Sequence, residues 1–133
     1  MTYALSQPLQ TAVYEALTTA PALSGVAVFD APPAGAIPAL YVSLGPEVVS
    51  DRSDRTVAGA RHDFTVSVVT DAAGFQQAKA IAGAVSDRPA APLAPLDRGT
   101  LVALSFLRAR AKRDEAGQQR RIDLTFRALI DDI

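Results

Sequence analysis

The sequence has no cysteine, no tryptophan, a single histidine and no lysine or arginine before position 52. Each absence removes a class of chemistry. Without thiols there can be no thiolate catalysis, cysteine zinc site, iron–sulfur ligation or disulfide framework. A lone His62 cannot build a multi-histidine metal centre, and without tryptophan no Trp-lined ligand cage is available. No apolar run approaches the roughly 20 residues that span a bilayer, and no basic stretch leads into an apolar one at the N-terminus. A cysteine-free, untargeted, soluble cytosolic chain with no membrane partner is expected.

What is present fits one domain over residues 1–133. The chain has 133 residues, 49% apolar and 20% charged, close to the common domain size of about 100–150 residues. At that length folding hides about two thirds of the unfolded chain's surface, enough for a core without covalent staples. The net charge of −1 argues against a surface wholly committed to nucleic acid. Charge is nevertheless polarised along the chain. Residues 1–100 carry six basic and nine acidic side chains, a net −3, and residues 101–133 carry seven and five, a net +2. Arginine outnumbers lysine eleven to two, a bias that suits a GC-rich coding genome.

Helical spacing of Leu9, Ala12, Val13, Ala16 and Leu17 predicts a first helix over residues 3–19, with Ser6 or Thr2 as its cap and Pro8 tolerated in the first turn. Glu15 is its only charge, so the helix is expected to need cover on more than one side. A short strand over 26–29 follows. The Pro-rich segment 31–35 reads as a loop. Leu40, Val42 and Leu44 alternate with Tyr41 and Ser43, which predicts a strand over 40–44. Residues 50–61, polar and with a doubled Ser-Asp-Arg, read as an exposed loop. His62, Phe64, Val66 and Val68 then alternate with polar residues as a half-buried strand whose inward face starts at His62.

A second helix is expected over 74–86, capped by Thr70 or Asp71, with Lys79 its only charge. Three of the nine prolines fall within 87–99, an extended crossover that Leu93 and Leu96 would pin to the core. Two alternating runs, 101–113 and 118–130, flank the turn-forming Asp114-Glu115-Ala116-Gly117 and predict a long β-hairpin. In its first strand Val102, Leu104 and Phe106 would share a face with Arg108, Arg110 and Lys112, and the basic tip would project beyond the body of the domain. Ile122, Leu124, Phe126, Ala128 and Ile130 would share one face of the second.

No catalytic constellation stands out, so the expected catalytic, cofactor and metal residues are none, and the protein is not read as an enzyme. A serine nucleophile needs a base. Only His62 is offered, and its strand's apolar pattern favours a structural role. Phosphate-binding glycine signatures are absent. Arg108, Arg110, Lys112, Arg113, Arg120 and Arg121 could meet phosphates, but no aromatic residue lies among them to stack on bases, and Asp114, Glu115 and Asp123 dilute their field. A solvated or protein-facing arm fits better.

Tyr3-Ala4-Leu5, the Leu9–Leu17 helix with Val13-Tyr14, Val28-Phe29-Asp30-Ala31-Pro32 and Pro38-Ala39-Leu40-Tyr41-Val42 together resemble the tail terminator, or tail-completion, proteins of long-tailed phages and phage-like gene transfer agents. The similarity continues through Gly59-Ala60-Arg61-His62-Asp63-Phe64, Ala78-Lys79-Ala80-Ile81-Ala82 and Leu124-Thr125-Phe126-Arg127-Ala128. Its motifs mark a fold more than a site. The resemblance implies an α+β fold, with an antiparallel sheet of about four to five strands packed with two main helices and ending in a long hairpin. It further implies a homo-hexameric ring at the head–tail junction of a particle assembled in the bacterial cytoplasm. That ring would cap the tail tube protein, stop its polymerisation, face the head connector or stopper, and leave a channel for DNA without reading its sequence. Pro8 and the variable 87–99 stretch depart from the family pattern.

Within this reading, Arg52, Asp54, Arg55 and Arg61 belong to a loop that orders on contact with the tube or a neighbour. Arg108, Arg110, Lys112, Arg113, Arg120 and Arg121 make inter-subunit contacts. The rival readings are another head–tail joining piece, such as a stopper or adaptor, and a small nucleic-acid-binding domain using the basic hairpin.

Overall fold

The computed structural model describes residues 1–31, 35, 37–88, 92–113 and 119–133. Helix α1 (Ser6–Thr19) leads through a 3₁₀ turn (Pro21–Leu23) to β1 (Ala27–Phe29), β2 (Leu40–Asp51) and β3 (Gly59–Thr70). Helix α2 (Gln76–Asp87), β4 (Thr100–Arg113) and β5 (Arg120–Asp131) complete the order. The strands form one sheet in the order β1-β2-β3-β5-β4, so the fold is α+β. Among the described residues no helix is long and apolar enough to cross a membrane.

Alternation decides which side of the sheet the helices cover. Ile122, Leu124, Phe126, Ala128 and Ile130 of β5 are all buried, while Arg121, Asp123, Thr125, Arg127 and Leu129 between them are not. The buried set joins Val42, Val66 and Val68 and meets Leu9, Val13 and Leu17 of α1 and Ala78, Ala82 and Val85 of α2 in one core cluster. Phe126 stacks on Phe64 and tilts against Phe106, both at 5.5 Å between ring centroids. Leu93 and Leu96 of the crossover pack against this core as their spacing implied. Both helices therefore lie on one face of the sheet, and among the described residues no element covers the other.

The sheet is antiparallel except at its β1 edge, where Ala27 lies opposite Tyr41 and Phe29 opposite Ser43 in parallel. Two strands joined by a tight turn must run antiparallel. Here residues 30–39 separate them, long enough for β2 to start beside the start of β1. Strand β2 also outruns its expected end at Leu44. A bulge between Leu44 and Glu47 absorbs Gly45 and Pro46, interrupts the alternation, and lets pairing resume to Asp51. A Cβ at Gly45 would stand 3.2 Å from the Thr65 carbonyl oxygen, so the close approach of the two strands suits glycine.

The loop expected over 50–61 is correspondingly shorter. Ser50 and Asp51 pair with Arg61 and Ala60 in the β2–β3 hairpin, Ala60 is buried, and only 52–58 connect the strands. Helix α1 starts at Ser6 rather than residue 3, and Ser6 does not cap it. Its hydroxyl donates to Glu47 Oε1 at 2.5 Å instead. Thr2 Oγ1 accepts from the Ala4 amide in the turn before the helix. On the outward side of α1 the chain carries Gln7, Gln10, Thr11, Tyr14 and Thr18, all exposed, so the helix buries one stripe and hydrates the other with uncharged polar groups. Helix α2 likewise lacks a side-chain cap, since Thr70 Oγ1 turns to the Ala72 amide.

The hairpin of β4 and β5 is present, with its turn tetrad 114–117 outside the described residues. Two features differ from expectation. Register shifts between Leu101 and Ala103 and between Phe106 and Arg108 insert one extra residue each, and a single-residue slip exchanges faces. Leu104 and Phe106 stay on the helix side, opposite Ala128 and Phe126, whereas Arg108, Arg110 and Lys112 lie opposite Thr125, Asp123 and Arg121 on the bare side. Nor do the basic residues project. Strand β3 accompanies β5 along its length, from Gly59 opposite Asp131 to Thr70 opposite Arg120, because β5 is an inner strand.

Candidate assembly surface

On the bare face the polar residues of three strands line up by register. Asp63 lies between Arg61 and Arg127. Arg127 Nε and Nη2 reach its two carboxylate oxygens at 2.8 and 3.1 Å, a two-pronged pairing across β3 and β5, and Arg61 Nε stands 4.0 Å away. One row along, Asp123 accepts from Ser67 Oγ at 2.6 Å and Arg121 Nε at 3.0 Å, with Lys112 Nζ at 3.4 Å. Arg121 Nη2 also donates to Ser67 Oγ. The hydrogen bond from Arg127 holds the Asp63 carboxyl below its ordinary pKa against its partial burial. For Asp123, burial pushes the pKa up, but Ser67, Arg121 and Lys112 outweigh it and the net direction is down.

Between these rows, Pro46, Val48, Thr65, Leu107, Arg108 and Thr125 help line a shallow depression of about 410 Å³. The bulges of β2 and β4 fall at the same level of the sheet and give it its two ends. Val48 and Leu107 are exposed, at 69% and 44%.

The loop residues sit at one end of the sheet. Arg52 Nη1 pairs with Asp131 Oδ1 at 3.1 Å, and the Asp132 amide donates to the Ala58 carbonyl at 2.8 Å, which ties the loop to the end of β5. Asp54 Oδ1 accepts from the Thr56 and Val57 amides, both at 2.8 Å, and Asp51 Oδ1 from the Ser53 amide at 3.1 Å. These Asx turns order the loop within a single copy. They also hold both aspartate pKa values low, Asp54 chiefly through the Thr56 amide and Asp51 chiefly through the Ser53 hydroxyl. Arg55 is exposed.

The ten residues singled out by sequence thus fall into three groups. Arg61, Arg108, Arg110, Lys112 and Arg121 share the bare face, and Arg52, Asp54 and Arg55 share the loop. Arg120 and Arg113, opposite each other in register, are on the helix side. There Arg120 donates to the Ala72 carbonyl at 3.0 Å and lies over the Phe75 ring, 5.6 Å from its centroid. The carboxylates that organise the bare face, Asp63 and Asp123, and their partner Arg127 were not singled out. Their signal is an acid or base flanked by apolar neighbours on a strand, which marks a face but names no partner until the register is known.

His62 belongs to the helix side. It is fully buried, and neither ring nitrogen has a hydrogen-bond partner. Glu47 Oε2 stands 3.9 Å from Nδ1, outside hydrogen-bond reach. Burial pushes the His62 pKa down, and the Glu47 charge opposes this without reversing it. Tyr3 and Ser6 donate their hydroxyls to Glu47 Oε1. Because Ser6 bonds to Glu47 and not to His62, the three are not arranged as nucleophile, base and orienting acid. Among the described residues no group of acids and histidine is placed to hold a metal ion.

This arrangement is one of contacts, and it matches known proteins along nearly its whole length. Residues 11–131 match the family described as tail completion protein gp17. The chain belongs to the tail completion protein gp17 family. A chain in the solved structure "Virion of native gene transfer agent (GTA) particle" is 54% identical to this tail completion protein, with a TM-score of 0.90, covering 98% of this chain and 99% of that one. No curated protein matches. The family resemblance carried by the sequence motifs is borne out, and membership makes this tail completion protein a structural component of a phage-type tail.

Proposed function

We propose that the chain is the tail terminator of a phage or phage-like gene transfer particle. It forms a hexameric ring at the head–tail junction, caps the finished tail tube, stops its polymerisation and joins it to the head connector, with an open channel for DNA. Assembly takes place in the bacterial cytoplasm, and the protein makes and breaks no bond. The observation that carries this reading is the 54% identity to a chain of a gene transfer agent virion over 98% of the sequence. The tail completion family match over residues 11–131 points the same way.

The physical features support it. A ring needs heterologous contact, in which two different surfaces of one chain meet, and this chain offers a bare sheet face, two dissimilar sheet edges and a structured loop at one end. Arg52, Asp54 and Arg55 in the loop, with Arg61, Arg108, Arg110, Lys112, Arg113, Arg120 and Arg121, are the proposed contact residues. Asp63 and Asp123 neutralise part of the basic set, which favours a protein partner over nucleic acid.

Light scattering of the purified protein over a range of concentrations, with and without tail tube protein, tests the reading. A hexamer alone or on the tube is expected, and a chain that stays monomeric in both conditions refutes it. Co-purification with connector protein in place of tube protein would reassign it as a stopper or adaptor.

A further inference from the structure

Strand β4 is the outer strand at one side of the sheet. From Ser105 to Arg113 every residue is exposed, and the strand's charged residues are Arg108, Arg110, Lys112 and Arg113, with no acid among them. At the other side, β1 covers β2 only at Tyr41–Ser43. From Leu44 to Asp51 the outer side of β2 has no partner strand among the described residues, and its charged residues are Glu47 and Asp51, with no base. One free edge is basic and the other acidic.

Direction matters as well. Each step from β2 through β3 and β5 to β4 is antiparallel, so β4 runs opposite to β2. A neighbour rotated about an axis lying roughly along the strands would bring its β2 antiparallel to β4, continuing the same alternation. The pleat agrees too, because Val48 shares the bare face with Asp63, and Arg108 and Arg110 share it with Thr125 and Asp123. Among the described residues Arg108 and Arg110 have no carboxylate partner, so they remain free for one.

We propose that β4 of one copy pairs antiparallel with the Leu44–Asp51 length of β2 in the next, basic edge to acidic edge, so that the sheets run on from copy to copy around the ring. This rests on the terminator reading and names the joint it leaves open. It also disposes of both exposed edges at once, since closing a sheet on itself removes them. Centring one free length on the other needs a stagger of about three to five residues, the kind of offset that closed sheets use.

The absence of cysteine gives a clean background for the test. Val48→Cys is combined in turn with Ser105→Cys, Arg108→Cys or Arg110→Cys in the full chain, sampling three registers. Within one copy β2 and β4 are three strand spacings apart, roughly 14 Å, beyond disulfide reach, so any bridge joins two copies. After oxidation, alone and on tail tube protein, at least one pair is expected to give a reducible covalent ladder ending at the ring, while single-cysteine variants stop at dimers or below. The double variant Arg108→Glu/Arg110→Glu, folded by circular dichroism, is expected to need at least about tenfold more protein to assemble. Rings that form with no bridge in any register, and that tolerate the charge reversal, overturn the edge pairing and leave the terminator reading standing. In that case the basic residues serve only to blunt an edge. Failure of the parent chain to assemble under any condition overturns both.

Discussion

Strand β5 contributes to both faces of the sheet at alternate residues, and the two faces differ in what they ask of a side chain. Toward the helices, Leu124 and Ile130 are at 1% exposure or less and are held by packing alone. Toward the bare side, Asp123 and Arg127 stay partly exposed and are held by charge-assisted hydrogen bonds to partners on β3 and β4. Buried methylenes have only the core to lose, so their removal is felt as instability. Exposed ion pairs trade a weak mutual attraction for contact with water or a partner. Stability should therefore reside on one face and assembly on the other.

The sharpest break in that division would come from Leu124→Ala, which is expected to cost about 2–5 kcal/mol in urea unfolding. Assembly should persist wherever the variant is still folded. A smaller effect follows from His62 on the same face. Its folded pKa lies below the ordinary 6.5, so below about pH 6.5 the unfolded chain binds a proton the folded chain resists. Stability should fall with acid in that window by up to about 1.4 kcal/mol per pH unit, and His62→Leu should flatten the slope in urea titrations at stepped pH.

On the bare face, Arg127→Ala should cost about 1 kcal/mol or less in stability. It should also raise the pH at which the Asp63 contribution disappears. That contribution is present above the ordinary carboxylate pKa and is lost as pH falls through the lowered folded value, which carboxylate titration by NMR would follow. Smallest of all, Arg110→Ala should move the unfolding free energy by no more than about 0.5 kcal/mol while weakening ring formation in light scattering. An Arg110→Ala variant that destabilised the monomer as much as Leu124→Ala would dissolve the contrast between the faces.

The helix-covered face was the legible one. The period-two apolar residues of 62–68 and 122–130 and the helical spacing of 9–17 fixed strands, helix and core, because burial repeats with the period of the backbone. What escaped the sequence turns on single residues that reset that period. Gly45 and Pro46 hid the second half of β2, and Leu107, one extra residue in β4, carried Arg108, Arg110 and Lys112 to the face opposite the expected one. The parallel pairing of β1 escaped because three residues carry no sign of direction. The rows built on Asp63 and Asp123 needed the register of three strands, which no single strand's pattern contains.

The strand that comes last in the order of the fold occupies an inner place in the sheet. While a ribosome is still making residues 1–119, β3 has its inner edge open with Val66 and Val68 unsupported, and β4 has no neighbour in the sheet. The sheet closes only when residues 120–131 arrive, and they pair on both sides at once. Synthesis that stops short of β5 therefore leaves an adhesive edge in place of a slightly smaller protein. Completing the chain and making it safe from aggregation are one event, and only finished copies are available to be counted into a ring.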